Sequence, residues 1–171
     1  MPRQLSVEVL PKRSVTALVY PAAAHGRAGV TLILGPGAGA GQTSAFIVEF
    51  ATGLAARGID AVTFNFLYGE AGRRIPEPND RLEACYRAVI AAVRQQMLSS
   101  KGRLAIGGKS MGGRIASQVA AADIGELGIG LSRLSAASSR QSRTSARRAS
   151  ARRQCANAVR SRFTRRVWHP R

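Results

Sequence analysis

The residues with the clearest capacity for chemistry are Gly108-Lys109-Ser110-Met111-Gly112. A serine hydroxyl is a weak nucleophile until something activates and presents it. Set on a sharp turn between a strand and a helix, its oxygen projects above the sheet while the helix N-terminus points at it. Glycines on either side remove the Cβ atoms that would block so close an approach of strand to helix. The Met111 N–H can then meet the oxyanion of a tetrahedral intermediate in acyl transfer. A second cluster, Gly35-Pro36-Gly37-Ala38-Gly39-Ala40-Gly41, alternates its glycines. It therefore matches neither GxGxxG nor the phosphate loop with its Gly-Lys-Ser/Thr ending. It reads better as the second wall of an oxyanion hole, with backbone N–H groups near Gly37 and Ala38 as donors. Lys109 invites a phosphate-binding reading, but a lysine beside a nucleophile is more often a solvated charge.

The elements that must position these residues alternate between strand and helix. Leu5 to Leu10 and Ser14 to Tyr20 form an opening antiparallel hairpin through Pro11-Lys12-Arg13. Val30 to Leu34 is a continuous apolar run, as in a strand buried on both faces. Thr43 or Ser44 caps a helix to Arg57, with Phe46, Phe50 and Leu54 at fourfold spacing and Gly58 as its stop. Asp60 to Phe66 is the next strand. Asn79-Asp80, after Pro76 and Pro78, opens a helix to about Met97 whose Leu82, Tyr86, Val89, Ile90 and Val93 share a face. Arg103 to Gly107 is a strand and Gly112 to Ala122 a helix. Residues 28 to 122 are thus expected to form an α/β fold, a mostly parallel sheet with flanking helices.

Three segments carry a family resemblance: VTLILGPGAGAG, FNFLYGEAGRRIPEP and IGGKSMGGRIASQVAA. Together they resemble the dienelactone-hydrolase-like branch of the α/β-hydrolases, small serine hydrolases without a lid domain. The resemblance covers residues 1 to 130. It implies Ser110 as nucleophile, the N–H groups of Met111 and the Gly37 region as oxyanion donors, and a small-molecule substrate with an ester-like acyl bond. It departs at Pro36, where the family usually has histidine.

Such a serine needs a base, and the base needs an orienting acid. In this fold they follow the serine in the order acid, then histidine. After Ser110 the chain has only Asp123, Glu126 and His169, while His25 comes before it and reads as a surface residue. A working triad is not expected, and the enzyme is expected to be inactive or impaired as translated. The last 41 residues suggest why. Of 26 Lys+Arg and 9 Asp+Glu, residues 131 to 171 hold 12 arginines and no acid, so the net charge of +17 falls to +5 for residues 1 to 130. This Arg/Ser/Ala-rich stretch shows no period of 2 or 3.6, and it is expected to be a disordered tail behind a partial hydrolase domain.

Read from the second base of each codon, residues 149 to 170 permit HLPAANALMPFVQGSRDAFGTP, close to a family strand ending in QGxRD and followed by FG. Trp168 before His169 is forced to glycine, and Cys155 can give only alanine or valine. Residues 132 to 135 likewise allow LVFL, though residues 136, 137, 140 and 141 recover nothing. The expectation is a one-nucleotide shift near residues 128 to 131. The rival classes are a nucleic-acid-binding protein using the arginines, and a non-catalytic α/β-hydrolase scaffold. Phe163 and Trp168 are too few to support base stacking, although incidental polyanion binding is expected. No stretch has the 18 apolar residues of a membrane span and no signal peptide opens the chain, so a cytoplasmic location is the default. Cys85 and Cys155 lack metal-site spacing, and Cys85 reads as a small buried hydrophobe. No cofactor or metal is implied.

Overall fold

The computed structural model describes residues 1–97 and 102–122, all within the unit Met1–Leu131. The tail, Asp123, Glu126 and His169 lie outside the described residues. Five strands form one sheet in the order β1-β2-β4-β3-β5. These are β1 (Arg3–Leu10), β2 (Arg13–Tyr20), β3 (Val30–Gly35), β4 (Asp60–Phe64) and β5 (Arg103–Gly108). The hairpin β1–β2 is antiparallel, as expected, and β2 pairs antiparallel with β4. The strands β4, β3 and β5 run parallel. Parallel neighbours require long crossovers, and helices supply them.

Side chains alternate across a strand, so β3 feeds two cores. Ile33 joins Val62, Phe64, Leu104 and Ile106 on one face. That face is covered by α3 (Asn79–Met97) and α4 (Met111–Ala122), through Leu82, Cys85, Tyr86, Val89, Ile90, Val93, Ile115 and Val119. The apolar stripe read on α3 is buried as expected. On the other face Leu32, Leu34, Tyr20 and Ala61 pack against Ala51 of α1 (Ala45–Ala56).

The face of α1 differs from the expected one. Phe46 and Phe50 are 49% and 46% exposed, while Ile47 and Ala51 are buried. Small Ala51 lets the helix axis come close to the sheet, and the two phenyl rings stack on the outer side at 6.0 Å. Ser44 is the residue before α1 but makes no side-chain cap hydrogen bond. Gly58 stops the helix with a φ of +83°, and an added Cβ would overlap the Gly26 carbonyl. The strand expected from Asp60 to Phe66 ends at Phe64, and after Asn65 and Phe66 a short helix, α2 (Leu67–Glu70), follows. Phe66 turns inward and meets Phe64 edge-on at 5.1 Å.

Candidate functional site

Ser110 stands between the end of β5 and the first residue of α4. Its φ is +50°, a left-handed conformation that a residue with a Cβ rarely adopts. The strain is held by main-chain contacts on every side. Lys109 N–H donates to the Gly35 carbonyl at 3.1 Å, Gly112 N–H to the Lys109 carbonyl at 3.0 Å, and Arg114 N–H to the Ser110 carbonyl at 3.0 Å. No side chain fits between these backbones. A Cβ on Gly112 would lie 2.6 Å from the Pro36 carbonyl oxygen and overlap Gly35, and one on Gly108 would lie 2.8 Å from the Gly112 carbonyl carbon. Ser110 itself is exposed.

The loop after β3 lies against this turn. The position of a Cβ on Gly37 would be 3.6 Å from the Lys109 carbonyl oxygen and 3.9 Å from the Ser110 Cβ. Gly37 is buried, Ala38 beside it is exposed, and the Ala40 N–H closes a turn onto the Gly37 carbonyl at 3.1 Å. Met111 opens α4, and the first N–H groups of a helix have no acceptor within it. Ser110, Gly37 and Met111 therefore come together at one end of the parallel strands. The Lys109 ammonium lies 4.6 Å from the centroid of the Phe46 ring, a cation–π contact rather than a purely solvated charge.

His25 is the one histidine among the described residues, and it lies at the other end of the sheet. Its loop is tied down by Ala23 N–H to the Ala55 carbonyl and Ala28 N–H to the Gly58 carbonyl, just ahead of β3 and β4. Nearby, Asp60 accepts from the Ala22 N–H at 2.8 Å and pairs with Arg27 at 3.0 Å. Ser110 follows the far end of β5, and a six-residue strand is roughly 20 Å long. His25 is therefore out of reach of the serine hydroxyl.

Two supports of this region escape a reading by pattern. Tyr86 belongs to the buried stripe of α3, yet its hydroxyl sits 2.6 Å from the Gly107 carbonyl and 3.0 Å from the Ile33 carbonyl. It also accepts the Gly107 N–H at 3.2 Å. One hydroxyl thus ties β3 to β5 just below the turn. Burial pushes this phenol well above its ordinary range, partly offset by hydrogen bonds at the Gly107 and Gly35 backbone. The second support is Asn65, directly after β4, whose side chain reaches the loop at Gln42. A phenol on an otherwise aliphatic stripe and an asparagine at a strand's end were the available signals. Cys85 is buried and free, and desolvation raises its thiol from 9.0 to about 12. The Leu67 backbone hydrogen bond lowers it and the charges of Glu77 and Glu70 raise it. It is a core residue. Among the described residues no three His, Cys, Asp or Glu side chains cluster to hold a metal. No described helix is long and apolar enough to cross a membrane.

A mixed sheet whose parallel strands end at a strained serine turn, flanked by helices on both faces, defines the α/β-hydrolase class. The family model for the alpha/beta hydrolase domain matches residues 28–132. The chain belongs to that family. Among solved structures it is similar to XC6422 from Xanthomonas campestris, described as an α/β serine hydrolase without a lid. The TM-score is 0.61 at 24% identity, over 71% of this chain and 56% of that one. An α/β serine hydrolase homologue from Coxiella burnetii gives 0.58 at 19%, over 69% and 56%. A dienelactone hydrolase from Anabaena variabilis gives 0.59 at 18%, over 71% and 57%. The chain spans little more than half the length of these structures. No curated protein matches it.

Proposed function

We propose that the chain carries the nucleophile half of a serine hydrolase acting on an ester-like acyl bond. Ser110 is the nucleophile, and the N–H groups of Met111 and of the Gly37–Ala38 segment stabilise the oxyanion. The observation that carries this reading is the left-handed φ of +50° at Ser110. Such strain at an exposed polar residue persists only where the surroundings over-determine it, and it is the geometry that lifts an oxygen clear of the sheet. The substrate carbonyl carbon would bond to Ser110 Oγ, the hydroxyl proton would leave, and the alcohol portion of the ester would depart.

The reaction stalls at the proton. His25 lies at the opposite end of the sheet, and after Ser110 the sequence offers only Asp123, Glu126 and His169. We infer that residues 1–171 by themselves acylate slowly and turn over poorly. A positioned base contributes about 10² to 10⁴-fold, while the oxyanion hole and binding alone retain roughly 10³ over water. The test is acetylation by p-nitrophenyl acetate, located by mass spectrometry of the peptides. Ser110 should be acetylated ahead of every other serine, and Ser110→Ala should remove that label alone. Uniform labelling of surface serines, with Ser110 no faster than the rest, would refute the assignment.

A further inference from the structure

The loop that carries Gly37 is fixed at two points. Its near end is bound to the serine turn through the Gly35 carbonyl and the Lys109 N–H. Its far end is Gln42, whose N–H donates to Asn65 Oδ1 at 2.8 Å. The Gln42 side chain is buried, with Oε1 3.5 Å from Thr63 Oγ1. Asn65 is itself oriented. Its Nδ2 donates to Glu70 Oε2 at 2.9 Å, so the amide cannot turn over without losing both bonds. Glu70 is held in turn by Thr16 of β2, whose Oγ1 donates to Oε1 at 2.6 Å and whose N–H donates to the same oxygen at 3.0 Å. Four residues from four segments are linked by a chain of hydrogen bonds that converges on Glu70: the Gln42 N–H donates to Asn65, and Asn65 and Thr16 both donate to the carboxylate. A carboxylate acceptor strengthens its links.

This chain has a mechanical consequence. Between Gly35 and Gln42 lie six residues, Pro36 to Gly41, bridged internally by the Ala40-to-Gly37 turn. With both ends pinned, the N–H groups at Gly37 and Ala38 keep one direction. With the Gln42 end free, the segment hinges about Gly35. Preorganised donors lose their advantage when they must be reoriented at the moment of reaction.

We propose that Asn65 is a positioning residue for the oxyanion loop, oriented by Glu70 and Thr16, and that it sets the direction of the Gly37 and Ala38 N–H groups toward Ser110. The proposal rests on the serine-hydrolase reading for its catalytic meaning and on the hydrogen-bond chain for its structural content.

The test uses the full chain and two readouts. Residue-resolved amide exchange reports the anchor without needing any activity. Asn65→Ala should speed exchange across Gly37 to Gln42 by about tenfold or more, as a local opening that leaves Ile33, Leu34 and Ile115 protected. Glu70→Ala should show the same pattern, and Glu70→Gln should restore protection only in part, because its single amide oxygen cannot accept from both Asn65 and the Thr16 N–H. Acetylation of Ser110 by p-nitrophenyl acetate is the second readout. Here Ser110 Oγ bonds to the acetyl carbon, p-nitrophenolate leaves, and the hydroxyl proton passes to solvent. Asn65→Ala should lower the saturating rate by about tenfold at an unchanged half-saturating ester concentration, since the oxyanion forms only after binding. Unchanged loop exchange in Asn65→Ala overturns the proposal, and so does exchange that rises equally throughout the fold. A loosened loop with an unaltered Ser110 rate also overturns it. If the parent chain shows no preferential Ser110 labelling, the hydrolase reading fails. In that case the anchor is still decided by exchange.

Discussion

Replacing Gly112 by alanine sets two physical effects against each other. Gly112 is the second residue of α4, and alanine in a helix is favoured over glycine by about 1 kcal/mol. Propensity alone therefore makes Gly112→Ala stabilising. The surroundings argue otherwise. The new Cβ would lie 2.6 Å from the Pro36 carbonyl oxygen and would overlap both the carbonyl carbon and oxygen of Gly35. All of these are main-chain atoms, and Gly35 is fixed on one side by pairing with β5 and on another by the Tyr86 ring. Overpacking costs about 1–3 kcal/mol even where side chains can shift, and here nothing flexible can move. Taking about 3 kcal/mol for the overlap and subtracting about 1 kcal/mol for propensity leaves a net loss of about 2 kcal/mol. With a urea slope of about 1–2 kcal/mol/M, the unfolding midpoint should fall by about 1–2 M. Circular dichroism of the full chain in a urea series measures this. Gly107→Ala is the control, five residues away, with no atom within 4 Å of its added Cβ and no positive φ. It should leave the midpoint within about 0.5 M of the parent, or raise it slightly. A Gly112→Ala chain as stable as the parent would show that the strand-to-helix contact has slack, and the rigid-turn argument would fail.

Ser110→Gly should relieve the left-handed strain and stabilise the fold by about 0.5–1 kcal/mol, while abolishing ester labelling at that position. Urea titration and peptide mass spectrometry check the two halves. Tyr86→Phe should cost about 1–3 kcal/mol, because the Gly107 and Ile33 backbone groups lose their shared partner. Because the folded Tyr86 phenol titrates above its ordinary 10.0, its contribution is complete below about pH 10 and declines as pH rises beyond it. In Tyr86→Phe that part of the alkaline loss should vanish, as read from stability between pH 9 and pH 11. Cys85, with its thiol raised from 9.0 to about 12, should react with iodoacetamide about 10³-fold more slowly than an ordinary thiol at pH 8, and rapidly once unfolded. Peptide mapping distinguishes it from Cys155. A chain whose residues beyond about 130 follow the alternative reading frame should turn over a small activated ester at least 10²-fold faster than the chain as given, in a Ser110-dependent way. Equal rates at matched amounts of folded protein would refute the missing-base argument.

The strands were legible because apolar runs of β-branched residues, as in Val30 to Leu34, leave few alternatives. The α3 stripe was legible because five large apolar residues recur at helical spacing between Leu82 and Val93. On α1 the same logic misled. Fourfold spacing of Phe46, Phe50 and Leu54 marks a helix, but equally strong candidates in Ile47 and Ala51 mark a second face, and only the distance of the helix from the sheet decides between them. The serine turn was readable because glycine is demanded wherever backbones touch, at Gly35, Gly108 and Gly112. Its supports were not. Periodicity placed the Tyr86 ring in the α3 stripe but said nothing of its hydroxyl, and Asn65 belongs to no periodic pattern; the polar partners that matter lie 21 and 23 residues away. Such partnerships depend on chain topology, which local spacing does not encode.

The register of the central strands also sets an order on events in time. The opening hairpin joins Val7 to Val15, and β3 meets β4 by joining Ile33 to Val62. Gly35 must find Gly108, the most distant pairing among the described strands. Closing so long a loop brings its entropic cost before its reward, so this contact belongs late in folding. The loop proposed to hold the oxyanion and the serine turn are the two sides of that contact. A chain stalled before it closes would already own a hairpin and a partial sheet, yet would lack the strained turn at Ser110. The approach of the serine turn to the loop after β3 is therefore a report on the completion of folding, one of the last features such a chain acquires.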